Sequence, residues 1–234
     1  SLTIKPGEKV AFVGENGAGK TTLVKLLMHL YDVTDGSICY GGHDIREYGT
    51  GEYRERIGAV FQDYQIYGAT LAENVLMDEV EVGDRERILE ALKQADFEKR
   101  LSRLPDGPDT NMTREFREDG TMLSGGEAQK VAIARMFVRT GKQFLAILDE
   151  PSSALDPLAE YQLNTNMMKN AGDAAVIFIS HRLSTTRDAD RIYMFENGRI
   201  IEQGSHQELM RLGGKYAAMF EKQAYYYQDE IAAC

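Results

Sequence analysis

The chain has 234 residues, 43% hydrophobic and 27% charged, a length that suits one sizeable α/β domain with room for an inserted subdomain. Its formal net charge of −10 argues against a non-specific nucleic-acid binder, which needs a basic face to displace counterions. No apolar run approaches the roughly 18 residues of a membrane span, no secretion signal opens the chain, and the distant Cys39 and Cys234 fit a reducing, cytosolic environment.

Ser1 to Ile4 alternates as the middle of a strand does, so the chain reads as a piece cut from something longer. Lys9 to Val13 is a short apolar run, the pattern of a buried parallel strand. It leads through Gly14 to Gly19 into a helical pattern, Lys20 to Leu30, with Leu23, Leu26, Leu27 and Leu30 on one face. Ser37 to Tyr40 and Ile57 to Phe61 read as further strands. From Leu71 to Leu104 the apolar period is helical, until turn chemistry at Leu104 to Pro108 breaks it. Thr110 to Thr121 is polar and reads as a loop, and Gly125 to Arg139 returns to helix.

Strands follow at Phe144 to Leu148, Val176 to Ile179 and Arg191 to Phe195. Asn197 and Gly198 then signal a hairpin, with Arg199 to Glu202 as the returning strand. Lys215 to Ala233 is aromatic and compatible with helix. Strands alternating with helices imply an α/β fold around a mostly parallel sheet covered on both faces. The expected division is a catalytic core over 1–65 and 140–210, a helical subdomain over 66–139 and a C-terminal helical tail over 211–234.

Gly14, Glu15, Asn16, Gly17, Ala18, Gly19, Lys20 and Thr21, with Thr22 after them, match the phosphate-binding pattern G-x-x-x-x-G-K-S/T. Glycines let the backbone curl so that successive N–H groups face phosphate oxygens, and the helix that begins there adds its positive end. Lys20 is expected on the β- and γ-phosphates, and the Thr21 hydroxyl on Mg²⁺. Phe144 to Leu148 is an apolar strand that delivers Asp149 to the same sheet edge, where it can hold Mg²⁺ through water. Glu150, one residue on, can polarise an attacking water as general base.

Ser124, Gly125, Gly126 and Glu127 follow Leu123. Ser124 and Glu127 form an S-x-x-E capping box for the next helix. Two glycines inside that cap bare backbone N–H groups at a helix N-terminus, which makes a second anion site on one chain. A single ATP does not need two separated cradles, whereas two chains packed head to tail would complete each other's.

These motifs, in this order and over essentially the whole chain, resemble the nucleotide-binding domain of ATP-binding-cassette (ABC) transporters. The resemblance implies a P-loop NTPase core of RecA-like type, with additional antiparallel strands and an inserted α-helical signature subdomain. It implies ATP and Mg²⁺ as ligands, and a catalytic group of Glu150, His181, Gln62 and Lys20. Gln62 is expected to sense Mg²⁺, making Thr21, Gln62 and Asp149 the metal set. Asp156 is expected in the loop that runs between protomers, and His181 on the γ-phosphate. Ser124 to Glu127 are expected to close over the ATP of a second nucleotide-binding domain.

Glu127 stands where the family often has glutamine, and the aromatic residue that stacks on adenine in the family would lie upstream of the opening strand. The segments Val60 to Tyr64, Thr70 to Asn74 and Gly198 to His206 resemble exporters more than importers. Arg117 to Gly120 lies where exporters meet the crossing helices of the opposite membrane domain. The expected setting is therefore an ATPase on the cytoplasmic face of the cell membrane, with a transmembrane domain fused upstream and no nucleic-acid partner. The alternatives are an importer subunit, a cassette ATPase of DNA repair or chromosome structure, and an ATP-binding clamp that hardly turns over. Only roughly a hundred residues separate the phosphate loop from Ser124, too few for the long coiled coil of a chromosome-type ATPase.

Overall fold

The structure is a computed structural model that describes residues 1–139, 143–149, 173–180 and 183–232. In chain order the elements begin with β1 (Lys9–Val13), α1 (Lys20–Leu27), β2 (Cys39–Tyr40), β3 (His43–Asp44), α2 (Thr50–Glu55) and β4 (Ile57–Val60). Next come α3 (Leu71–Leu76), α4 (Arg85–Gln94), α5 (Glu98–Leu101), α6 (Gly125–Phe137), β5 (Leu145–Asp149) and β6 (Ala175–Ile179). The rest are β7 (Arg191–Glu196), β8 (Arg199–Gly204), α7 (His206–Leu212) and α8 (Lys215–Ala232).

Six strands form one sheet in the order β4-β5-β6-β1-β7-β8. The first five run parallel, and β8 returns antiparallel to β7. The parallel strands read as unbroken apolar runs because both faces of the sheet are covered. Side chains alternate across a strand, so each run feeds two cores. Ala11, Val13, Leu148, Val176 and Met194 join Leu71, Leu92, Val131 and Tyr216 on one face. Val10, Phe12, Ile147, Ile177 and Tyr193 join Val24 and Tyr53 on the other.

Several boundaries differ from expectation, each for a local reason. The first helix stops at Leu27, because His29 turns left-handed at φ 53°. Ser37 to Tyr40 pairs only at Cys39 and Tyr40, in a small hairpin with the unforeseen His43–Asp44. Leu71 to Leu104 is not one helical run: Met77, at φ 60°, ends α3, and separate helices follow.

Thr110 to Thr121 lacks helix and extended strand but is pinned rather than loose. Asn111 and Met112 bridge Thr70 and Thr121, and Met112 is only 1% exposed. Ser1 to Ile4 keeps its alternating burial, yet forms no strand. Leu2 and Ile4 pack on the second core, and Thr3 accepts a hydrogen bond from the Tyr193 hydroxyl at 3.1 Å.

Candidate functional site

β1 ends at Val13, and the chain then turns through glycines that no other residue replaces cheaply. A side chain at Gly14, where φ is 148°, would meet the Phe195 carbonyl oxygen at 2.4 Å. Gly17 and Gly19 also have positive φ, 78° and 101°. The β7–β8 turn backs this loop directly, for the Gly198 N–H donates to the Ala18 carbonyl at 3.0 Å. Gly14→Ala is therefore expected to cost about 2 kcal/mol or more in stability, from a sparsely allowed backbone and overpacking together. The thermal midpoint should fall by roughly 4–8 °C; an unchanged midpoint would show that the loop can relax away from Phe195.

Lys20, the first residue of α1, is 5% exposed. Its Nζ donates to the carbonyls of Gly14 at 2.8 Å and Glu15 at 3.0 Å, which arches the loop over the ammonium. Glu15, Asn16, Gly17, Thr21 and Thr22 are exposed on the rim, while Ala18 is buried beneath. Among the described residues, three other α-helices begin with a full capping box: α3 with Thr70 and Glu73, α6 with Ser124 and Glu127, α7 with Ser205 and Glu208. In contrast, α1 has no side-chain cap and no acid in its first turn. No carboxylate of its own first turn competes there with an anion from outside, which the helix dipole favours.

Strand pairing brings the second motif to the same edge. Asp149 lies opposite Ile179, which in turn lies opposite Phe12. The Thr21 hydroxyl reaches past β6 to donate to Asp149 Oδ2 at 3.1 Å, although 128 positions separate them in sequence. Asp149 is only 7% exposed. A hydroxyl and a carboxylate held this close are hard oxygen donors of the type that Mg²⁺ takes. Gln62, two residues past β4, is exposed and stands outside this hydrogen bond. Glu150, Asp156 and His181 lie outside the described residues.

The Ser124 segment forms the expected box. Glu127 N–H donates to Ser124 Oγ at 3.3 Å, and Ser124 N–H donates to Glu127 Oε2 at 2.8 Å. Ser124 and Gly125 are exposed, and Gly126 and Glu127 are partly so.

Sequence reasoning missed the residues that tie this segment to the strand edge. The Tyr64 hydroxyl, two positions after Gln62, donates to the Gly125 carbonyl at 2.9 Å. Burial pushes its pKa up, which keeps the phenol a donor. Arg135 of α6 donates to the carbonyls of Gln65 at 2.6 Å and Asn74 at 2.7 Å, and lies over the Tyr67 ring. Only the packing of α6 on α3 and β4 places these residues side by side; nothing in their spacing does.

Comparison with known proteins decides the family. The family model described as "ABC transporter" matches residues 1–153, a span that takes in the loop at Gly14, the box at Ser124 and the acid at Asp149. The chain belongs to the ABC transporter family. It is an ATP-binding domain of that family. Across 223 residues it is 40% identical to an ATP-binding/permease protein of Staphylococcus aureus (strain NCTC 8325) named for multidrug export, covering 95% of this chain and 37% of that protein. A protein of the same name in the bovine strain RF122 / ET3-1 matches with the same identity and coverage.

Among solved structures, a bacterial Atm1-family ABC exporter with ATP bound superposes with a TM-score of 0.85 at 37% identity, covering 95% of this chain and 38% of that one. These relatives favour the exporter reading over the importer. The chain spans 37% of the length of the curated relatives it matches. Among the described residues, no helix is long and apolar enough to cross a membrane.

Proposed function

We propose that this ABC ATP-binding domain hydrolyses Mg-ATP in a site shared with a second such domain, and that the hydrolysis powers export across a membrane from its cytoplasmic face. The observation that carries the reading is the Thr21–Asp149 hydrogen bond, 3.1 Å long, beside an uncapped helix N-terminus. The phosphates of ATP would lie along the N–H groups of Gly14 to Thr22. Lys20 would exchange its contacts with the Gly14 and Glu15 carbonyls for the β- and γ-phosphates. Thr21 and Asp149, with Gln62 closing from its loop, would hold Mg²⁺, which neutralises charge between the phosphates.

Glu150 would take a proton from the attacking water as its oxygen bonds to the γ-phosphorus and the bond to ADP breaks. His181 would support that geometry at the γ-phosphate, and Asp156 would run between protomers. Ser124, Gly125, Gly126 and Glu127 would cover the ATP bound to the partner domain. Loss of the shared γ-phosphate contacts would let the two domains part, which moves an attached transmembrane domain.

A shared site has a kinetic signature. Below the dimer dissociation constant, ATP turnover per chain should rise in proportion to chain concentration, then level off. Turnover per chain that stays constant over a hundredfold dilution would place the whole site on one chain.

A further inference from the structure

Glu127 places a carboxylate at the helix end that would face another chain's phosphate, and both of its oxygens are engaged at home. Oε2 accepts the Ser124 N–H at 2.8 Å. Oε1 lies 3.1 Å from Nε of Arg100, in α5. That Nε–H is buried and not aligned on an acceptor as a hydrogen bond requires, so the contact is an ion pair held by charge and position. Each side chain is partly exposed, 27% for Arg100 and 31% for Glu127. Ser124 Oγ accepts the Glu127 N–H, and its own proton remains to be donated.

We infer that Arg100 is a positioning residue for nucleotide binding across the dimer. It balances the Glu127 charge and holds that carboxylate in the capping box, so that the α6 N-terminus meets the partner's γ-phosphate without a free anion. The inference rests on the shared-site reading above. In a chain of net charge −10, a local cation beside the signature matters more, because the surrounding field repels a phosphate ligand. Glu127 alone is favourable to α6 through the helix dipole, but unscreened it opposes the γ-phosphate. Arg100 separates those two effects.

The test uses the chain carrying Glu150→Gln, which slows hydrolysis, and reads the ATP-dependent dimer dissociation constant by sedimentation. Arg100→Leu should weaken the dimer about five-fold, the size expected when two partly exposed ion pairs are lost, and Arg100→Lys should recover most of the loss. With Glu127→Gln also present, Arg100→Leu should change the constant by less than about two-fold. Thermal midpoint and nucleotide binding to the monomer report folding separately.

An unchanged constant for Arg100→Leu, with the parent dimerising, overturns this inference and leaves the shared site standing. Equal losses with and without Glu127→Gln make Arg100 a brace for α5 and overturn it too. A parent that stays monomeric with ATP bound removes a site shared between identical chains, and this inference with it.

Discussion

Lys20→Ala is expected to lower affinity for ATP by at least about 100-fold, the loss of two charge-assisted contacts at 1.5–3 kcal/mol each. The ammonium is already desolvated, 5% exposed, and its present partners include two backbone carbonyls of the loop it would serve. Phosphate oxygens are stronger acceptors than carbonyls, so exchange of partners costs little reorganisation and gains charge pairing. Titration with a fluorescent ATP analogue reads the effect. Lys20→Met, which keeps most of the apolar stem, controls for collapse of the arch over Gly14 and Glu15. Binding within a few-fold of the unsubstituted chain would mean that the N–H groups of the uncapped α1 carry the phosphates alone.

Glu150→Gln has the second large expected effect, on turnover rather than binding. Removal of a positioned general base costs about 10²–10⁴-fold in rate. The amide keeps the size of the side chain, so ATP affinity should change little. A coupled assay for released phosphate, run at saturating Mg-ATP, measures the first quantity, and equilibrium binding the second. Loss of both together would show a structural role near Asp149 instead of proton transfer.

Much of the site was legible in the sequence because its chemistry is local. Gly14 to Thr22 is a contiguous loop and Ser124 to Glu127 a contiguous cap, so each declares itself within a few residues, and β1 and β5 are apolar runs bounded by turns or charge. What escaped is long-range or too short to carry a period. The two-residue strand at His43–Asp44 has no alternation to read.

The helical period of Leu71 to Leu104 runs through Met77, whose left-handed backbone ends α3. Thr110, 2% exposed, and Met112 sit in a polar stretch whose composition signals solvent, yet the structure pins both inside. Likewise Arg100 on Glu127, Tyr64 on Gly125 and Gly198 on Ala18 are long-range contacts that only the packed fold brings about. The sequence does register the departure at Glu127; its pairing with Arg100 arises only in the fold.

One ATP site built from two chains should show itself in the mass of the Glu150→Gln chain in solution, with and without Mg-ATP, over a range of chain concentrations. The expected result is a monomer without nucleotide and a dimer of twice 26.2 kDa with it, formed at lower concentration as ATP saturates. A strict monomer at saturating ATP, with binding confirmed on the same sample, would contradict a site completed by an identical chain.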